Sequence, residues 1–113
     1  MHEYYVTEEI IRIACNVASE NNSSVISGIS VVIGELTGMS SASIQFYFDA
    51  LSRDTAAAGA KLSFIRQPVS HFCMKCNQEF TGRTELYCPA CGTEGTTSKT
   101  GHEFYVECVE LPD

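Results

Sequence analysis

Four of the six cysteines fall into two C-x-x-C pairs, Cys73-Met-Lys-Cys76 and Cys88-Pro-Ala-Cys91, with 11 residues between them. Two thiolates on one tight bend, matched by two on a second, are the ligand set that a tetrahedral Zn(II) takes at about 2.3 Å per bond. Disulfides are the other chemistry that six cysteines allow, but in a reducing compartment this spacing reads as a metal site. Asn77 follows the first pair and Gly92 the second. These are the residue types that best tolerate the positive φ such a bend demands. Four thiolates fill a structural site and leave no position for a reactive water, which argues against hydrolytic catalysis by this metal. The segment from Val69 to Gly101 also needs its metal. Its other apolar residues are too few to offset the entropy of ordering it, whereas structural zinc contributes roughly 10–16 kcal/mol in small zinc peptides.

A second candidate lies at the chain start, Met1-His2-Glu3. A terminal amine, a deprotonated backbone amide and an imidazole can bind one ion in a plane, an arrangement that suits Ni(II) or Cu(II). A histidine at position 2 is also an ordinary solvated terminal residue, and on these residues alone that reading leads. His71 lies two residues before Cys73 and is within reach of the same ion, but the four thiolates already complete that site. His102 opens the last strand and reads as a surface residue. Cys15 and Cys108 stand apart from the pairs and read as buried, inert thiols.

The elements that must position these residues follow from hydrophobic periodicity. Val6, Ile10, Ile13, Ala14 and Val17 recur at helical spacing, which predicts a helix from Tyr4 to Glu20, stopped by Asn21-Asn22-Ser23-Ser24. A β-branched, alternating run from Val25 to Glu35 predicts a strand, broken by Gly34-Glu35-Leu36-Thr37-Gly38. Ser40 or Ser41 caps a second helix through about Arg53, with Ile44, Tyr47, Phe48 and Leu51 inward. Ala56 to Gly59 suits either a fraying helical end or a loop. Lys61 to Gln67 is a strand ended by Pro68, and His102 to Leu111 is another. The order helix, strand, helix, strand, metal lobe, strand is that of an α+β protein. It divides into residues 1–68 plus 102–113 and an inserted metal-binding segment, 69–101.

The apolar fraction of 44% is that of a globular protein, and the formal charge of −7 argues against a nucleic-acid partner. The longest apolar run is broken by Ser27, Gly28 and Ser30, so no segment is suited to span a bilayer. No basic stretch precedes an apolar one near the start, so no secretory signal is read and a cytoplasmic location is the default.

The pieces taken together, in their order along the chain, resemble the HypA/HybF family of nickel metallochaperones in [NiFe]-hydrogenase maturation. The resemblance rests on Met1-His2-Glu3, Ile33-Gly34-Glu35-Leu36-Thr37-Gly38, Gly59-Ala60-Lys61-Leu62, the two C-x-x-C pairs with Cys88-Pro-Ala-Cys91-Gly92, and Gly101-His102-Glu103-Phe104. It implies a nickel domain of two helices on a three-stranded sheet, with a zinc-ribbon-like domain inserted late. Ni(II) would be cargo held by the Met1 amine, the His2 imidazole and backbone nitrogen around His2 and Glu3. The Glu3 side chain would shape the site, contact a partner or ligate. Zinc would take Cys73, Cys76, Cys88 and Cys91. The implied partners are a maturation GTPase and the hydrogenase large-subunit precursor, with urease maturation served by some members. Members that place histidine just after a C-x-x-C pair use it in pH-sensitive zinc rearrangement, and this chain has none there. A zinc-ribbon adaptor and a rubredoxin-like iron carrier are the competing classes; colourless purified protein excludes the second. The sequence leaves monomer and dimer open.

Overall fold

A computed structural model of the protein describes residues 2–81, 87–96 and 100–112. The chain separates into two compact units. The first comprises Met1–Val32, Met39–Ile65 and Tyr105–Asp113, and the second Ile33–Gly38 and Arg66–Phe104.

Helix α1 (His2–Glu20) starts two residues before the expected Tyr4. Of the stripe read from the sequence it buries Ile10 and Ala14, while Val6, Ile13 and Val17 are half-buried; Ile11 and Ala18 beside them are buried as well. Its end is set by the asparagine pair. Asn22 takes φ 58°, Ser23 N–H donates to the Ala18 carbonyl at 2.8 Å, and Asn22 N–H donates to Ser19 at 3.1 Å. A left-handed residue flanked by these two bonds is a Schellman stop, which satisfies carbonyls the helix would leave open. Helix α2 (Ser41–Leu51) packs on α1 and buries Ile44 and Phe48, while Tyr47 and Leu51 are half-buried. Ser40 is its N-cap and accepts from Ser43 N–H at 3.1 Å. The helix ends at Leu51, short of Arg53, and Ala56–Gly59 is turn: Thr55 Oγ1 donates to the Ser52 carbonyl, and Asp54 and Gly59 take φ 63° and 78°.

Strands β1 (Gly28–Gly34), β2 (Lys61–Gln67), β3 (Ser70–Cys73), β4 (Gln78–Thr81) and β5 (Phe104–Glu110) form two sheets, β2-β1-β5 and β3-β4. The larger sheet is mixed. Ser27 N–H donates to the Glu110 carbonyl and Gly34 N–H to Glu103, so β5 runs antiparallel to β1. Lys61 N–H donates to the Ser27 carbonyl at 3.0 Å, so β2 begins where β1 begins and α2 serves as the crossover between parallel neighbours. Two helices with this sheet are the α+β architecture expected. As the middle strand, β1 is buried at every position but Ser30, rather than alternating. Edge strand β5 has only one strand neighbour. Glu107 and Cys108 are both exposed there, so Cys108 is not the buried, inert thiol expected. Cys15 is half-buried on α1. Among the described residues no helix is long and apolar enough to cross a membrane.

The Gly34–Gly38 turn has a steric reason. Its Glu35–Thr37 stretch is a single 3-10 turn, ended by Gly38 at φ 70°. A Cβ on Gly34 would sit 2.2 Å from the carbonyl carbon and oxygen of Gly101, so only glycine permits the approach. Leu36 N–H then donates to the Gly101 carbonyl at 2.7 Å. Gly34→Ala must displace backbone rather than a side chain. Thermal unfolding should show a loss of about 3 kcal/mol, at the upper end of overpacking costs; an unchanged melting temperature would refute the contact.

Candidate metal sites

The four cysteines predicted as ligands come together in the second unit. The sulfurs of Cys73, Cys76, Cys88 and Cys91 all lie within 4.8 Å of one another. Cys73 and Cys91 are 3.5 Å apart, and Cys88 and Cys76 are 4.0 Å apart. A tetrahedral ion bound at about 2.3 Å spaces its sulfurs about 3.8 Å apart, so the donor set is of the size such an ion takes. Cys73 and Cys88 are buried, Cys76 is half-buried and Cys91 faces solvent.

Two bends of the same design bring the thiols together, fifteen residues apart in sequence. In the first, Asn77 N–H donates to the Cys73 carbonyl at 2.8 Å and Asn77 takes φ 57°. In the second, Gly92 N–H donates to the Cys88 carbonyl at 2.8 Å and Gly92 takes φ 75°. The positive-φ positions are the two that residue type had marked. The flanks match as well. Phe72 pairs with Glu79 and Cys73 with Gln78 in the β3-β4 hairpin; Tyr87 bridges Glu94, and Cys88 N–H donates to Thr93. Neither hairpin was read from the sequence, because four-residue strands are too short to show a period. The fifteen-residue offset was the available signal.

Local donors moderate the charge. Cys76 N–H points at the Cys73 sulfur at 3.3 Å, and the Thr93 hydroxyl lies 3.2 Å from the Cys91 sulfur. Thr93 draws the Cys91 thiol down to about 6, first through its hydroxyl and then through its backbone. Hydrogen bonding with the Cys91 sulfur, followed by desolvation, pushes Cys76 up to about 12. Four thiolates this close repel one another, so without a cation one carries the charge and a neighbour keeps its proton. At neutral pH metal uptake must therefore expel protons, the Cys76 proton among them, and affinity rises with pH.

His71 is not part of this cluster. Its Nδ1 lies 3.3 Å from the Thr96 carbonyl, its ring lies against Phe80, and its Nε2 is buried with no partner among the described residues.

The N-terminal candidate belongs to the first unit. Met1, expected to supply the amine, lies outside the described residues. His2 is exposed in the opening turn of α1. The first four N–H groups of a helix have no intrahelical acceptor, so a metal that displaces an amide proton there breaks no helical bond. Glu3 is half-buried, and its Oε2 accepts from Ser40 N–H at 3.2 Å. Its carboxyl is held below the usual carboxylate range, first by its own backbone N–H and then by that of Ser40. Sequence reasoning assigned Ser40 only the capping of α2.

The family model described as hydrogenase/urease nickel incorporation, metallochaperone, hypA matches residues 1–111. The chain belongs to the HypA family. It is 39% identical to a hydrogenase maturation factor HypA of Dehalococcoides mccartyi, covering 100% of this chain and 96% of that one. It is 37% identical to that of Caldanaerobacter subterraneus, over 98% and 99% of the two chains. A solution structure of a HypA protein shares the fold at TM-score 0.73, with 23% identity, covering 99% of this chain and 97% of that one. The solution structure of the Ni metallochaperone HypA from Helicobacter pylori gives 0.65, with 21% identity and 96% of each chain.

The matched bends of this HypA-family chain are open to test. Valine at position 77 or 92 cannot adopt the left-handed conformation without about 1–2 kcal/mol of strain, so Asn77→Val and Gly92→Val should each weaken metal binding by the four cysteines about tenfold. Asn77→Gly should preserve it. Competition against a colorimetric chelator measures all three.

Proposed function

We propose that this protein is a nickel metallochaperone, a carrier rather than an enzyme, that takes up Ni(II) at its N-terminus for hydrogenase maturation. The observation carrying this reading is the family match along the whole chain, to relatives named as maturation factors. Nitrogen donors around Met1, His2 and Glu3, at an exposed helix start, suit a cargo that must also leave. Ligands few in number and open to solvent give modest affinity and fast exchange. Delivery would run to the hydrogenase large-subunit precursor with a GTPase partner, and urease maturation proteins are a further destination.

Zinc is the resident ion in this proposal, held by Cys73, Cys76, Cys88 and Cys91. Its part is structural: it neutralises the crowded thiolates and fixes the two bends together, while the nickel terminus remains free.

Two sets of variants test the assignment. His2→Ala, or an extension placed before Met1, should abolish tight Ni(II) binding in calorimetry and leave zinc content and circular dichroism unchanged. Nickel binding that survives both changes would sink the N-terminal site. Cys91→Ala should release zinc, read by elemental analysis, and lower the melting temperature without removing the helical signal of α1 and α2.

A further inference from the structure

One oxygen of the Glu3 carboxylate already has a partner. Its Oε2 accepts from the backbone N–H of Ser40, thirty-seven residues away and the residue that caps α2. Two more ties fasten the same turn. The Thr7 hydroxyl, fully buried, donates to the Glu3 carbonyl. The Tyr4 ring stands edge-on to Tyr47 of α2, with ring centroids 5.5 Å apart. Residues 3 to 7 are thus fixed to α2 by one long-range hydrogen bond and one ring contact, and internally by a third tie. His2 is the next residue out. Whatever holds Glu3 also limits the directions in which His2 and the first-turn amides can present their nitrogens.

Resting on the nickel reading above, we infer that the Glu3 side chain is a positioning latch for the nickel terminus and not a nickel ligand. It ties the first turn of α1 to the capping residue of α2, so that His2 and the neighbouring backbone nitrogens meet the ion already ordered. Ordering the ligands beforehand removes that entropy from the binding step. The Ser40 bond comes from a different helix, so it persists whichever first-turn amide the metal takes. A carboxylate held in this way leaves the metal to nitrogen donors, the set that favours planar Ni(II).

Latch and ligand differ in what glutamine can do. The glutamine amide oxygen accepts a hydrogen bond from Ser40 as a carboxylate oxygen does, but it is a poor metal ligand. Ser40 amide hydrogen exchange is measured in metal-free wild type, Glu3→Ala and Glu3→Gln, together with Ni(II) calorimetry and the absorption of the planar nickel complex. Loss of a hydrogen bond to a charged group predicts about tenfold faster Ser40 exchange and about tenfold weaker nickel binding in Glu3→Ala. Glu3→Gln should restore most of both and keep the planar spectrum. Loss of nickel binding in Glu3→Gln with Ser40 still protected would make the carboxylate a ligand and overturn the proposal. Unchanged Ser40 exchange in Glu3→Ala would overturn it as well. Should wild type take up no nickel, the nickel reading fails, and Ser40 exchange alone still decides whether the latch exists.

Discussion

Four thiols within 4.8 Å of one another cannot all ionise unaided, and that is the constraint on which the second unit depends. Ionised together they would repel one another, and a divalent cation among them would turn that repulsion into attraction. The rest of the unit serves this juxtaposition. Two bends aim the sulfurs, two residues adopt left-handed conformations to close those bends, and Thr93 and the Cys76 amide soften the charge. Around the cysteines, Phe80 with Cys73 and Cys88 forms a buried cluster, and half-buried Cys76 packs against it.

The first unit is held differently. Its helices and strands bury aliphatic side chains at ordinary spacing, and the polar work is concentrated at helix ends. Asn22 closes α1, Ser40 opens α2, and Glu3 joins the start of one helix to the start of the other. Helix starts are rich in unpaired N–H groups. One such group can receive a carboxylate, and others can yield their protons to a metal. The same turn can therefore be fastened and remain chemically available.

Much of this was legible in residue types. The helix limits came within two residues at the start of α1 and at the end of α2, because apolar spacing and capping residues act locally. The strand Lys61–Gln67 was read with its observed bounds, since Pro68 marks its end. Asn77 and Gly92 could be singled out because positive φ is a property of single residues. Cys108 was misread because alternation reports which side chains share a face, not whether that face is covered. The β3-β4 hairpin escaped because its strands are four residues long.

By itself the sequence determined the local conformations, the ligand types and the order of elements, and through the motifs it carries, the family. Those properties depend on side-chain chemistry and on neighbours a few residues away. Only the tertiary structure decided which distant groups meet. It set the fit of four sulfurs to one ion, the contact of Gly34 with Gly101, and the bond from Ser40 to Glu3. The physical reason is the short range of hydrogen bonds and steric contacts. They carry information only between groups within a few ångströms, and for residues 37 or 67 positions apart that proximity exists only once the chain has folded. Glu3 shows the difference most clearly. In the sequence it is an acid beside a possible metal ligand; in the fold its carboxylate already has a partner.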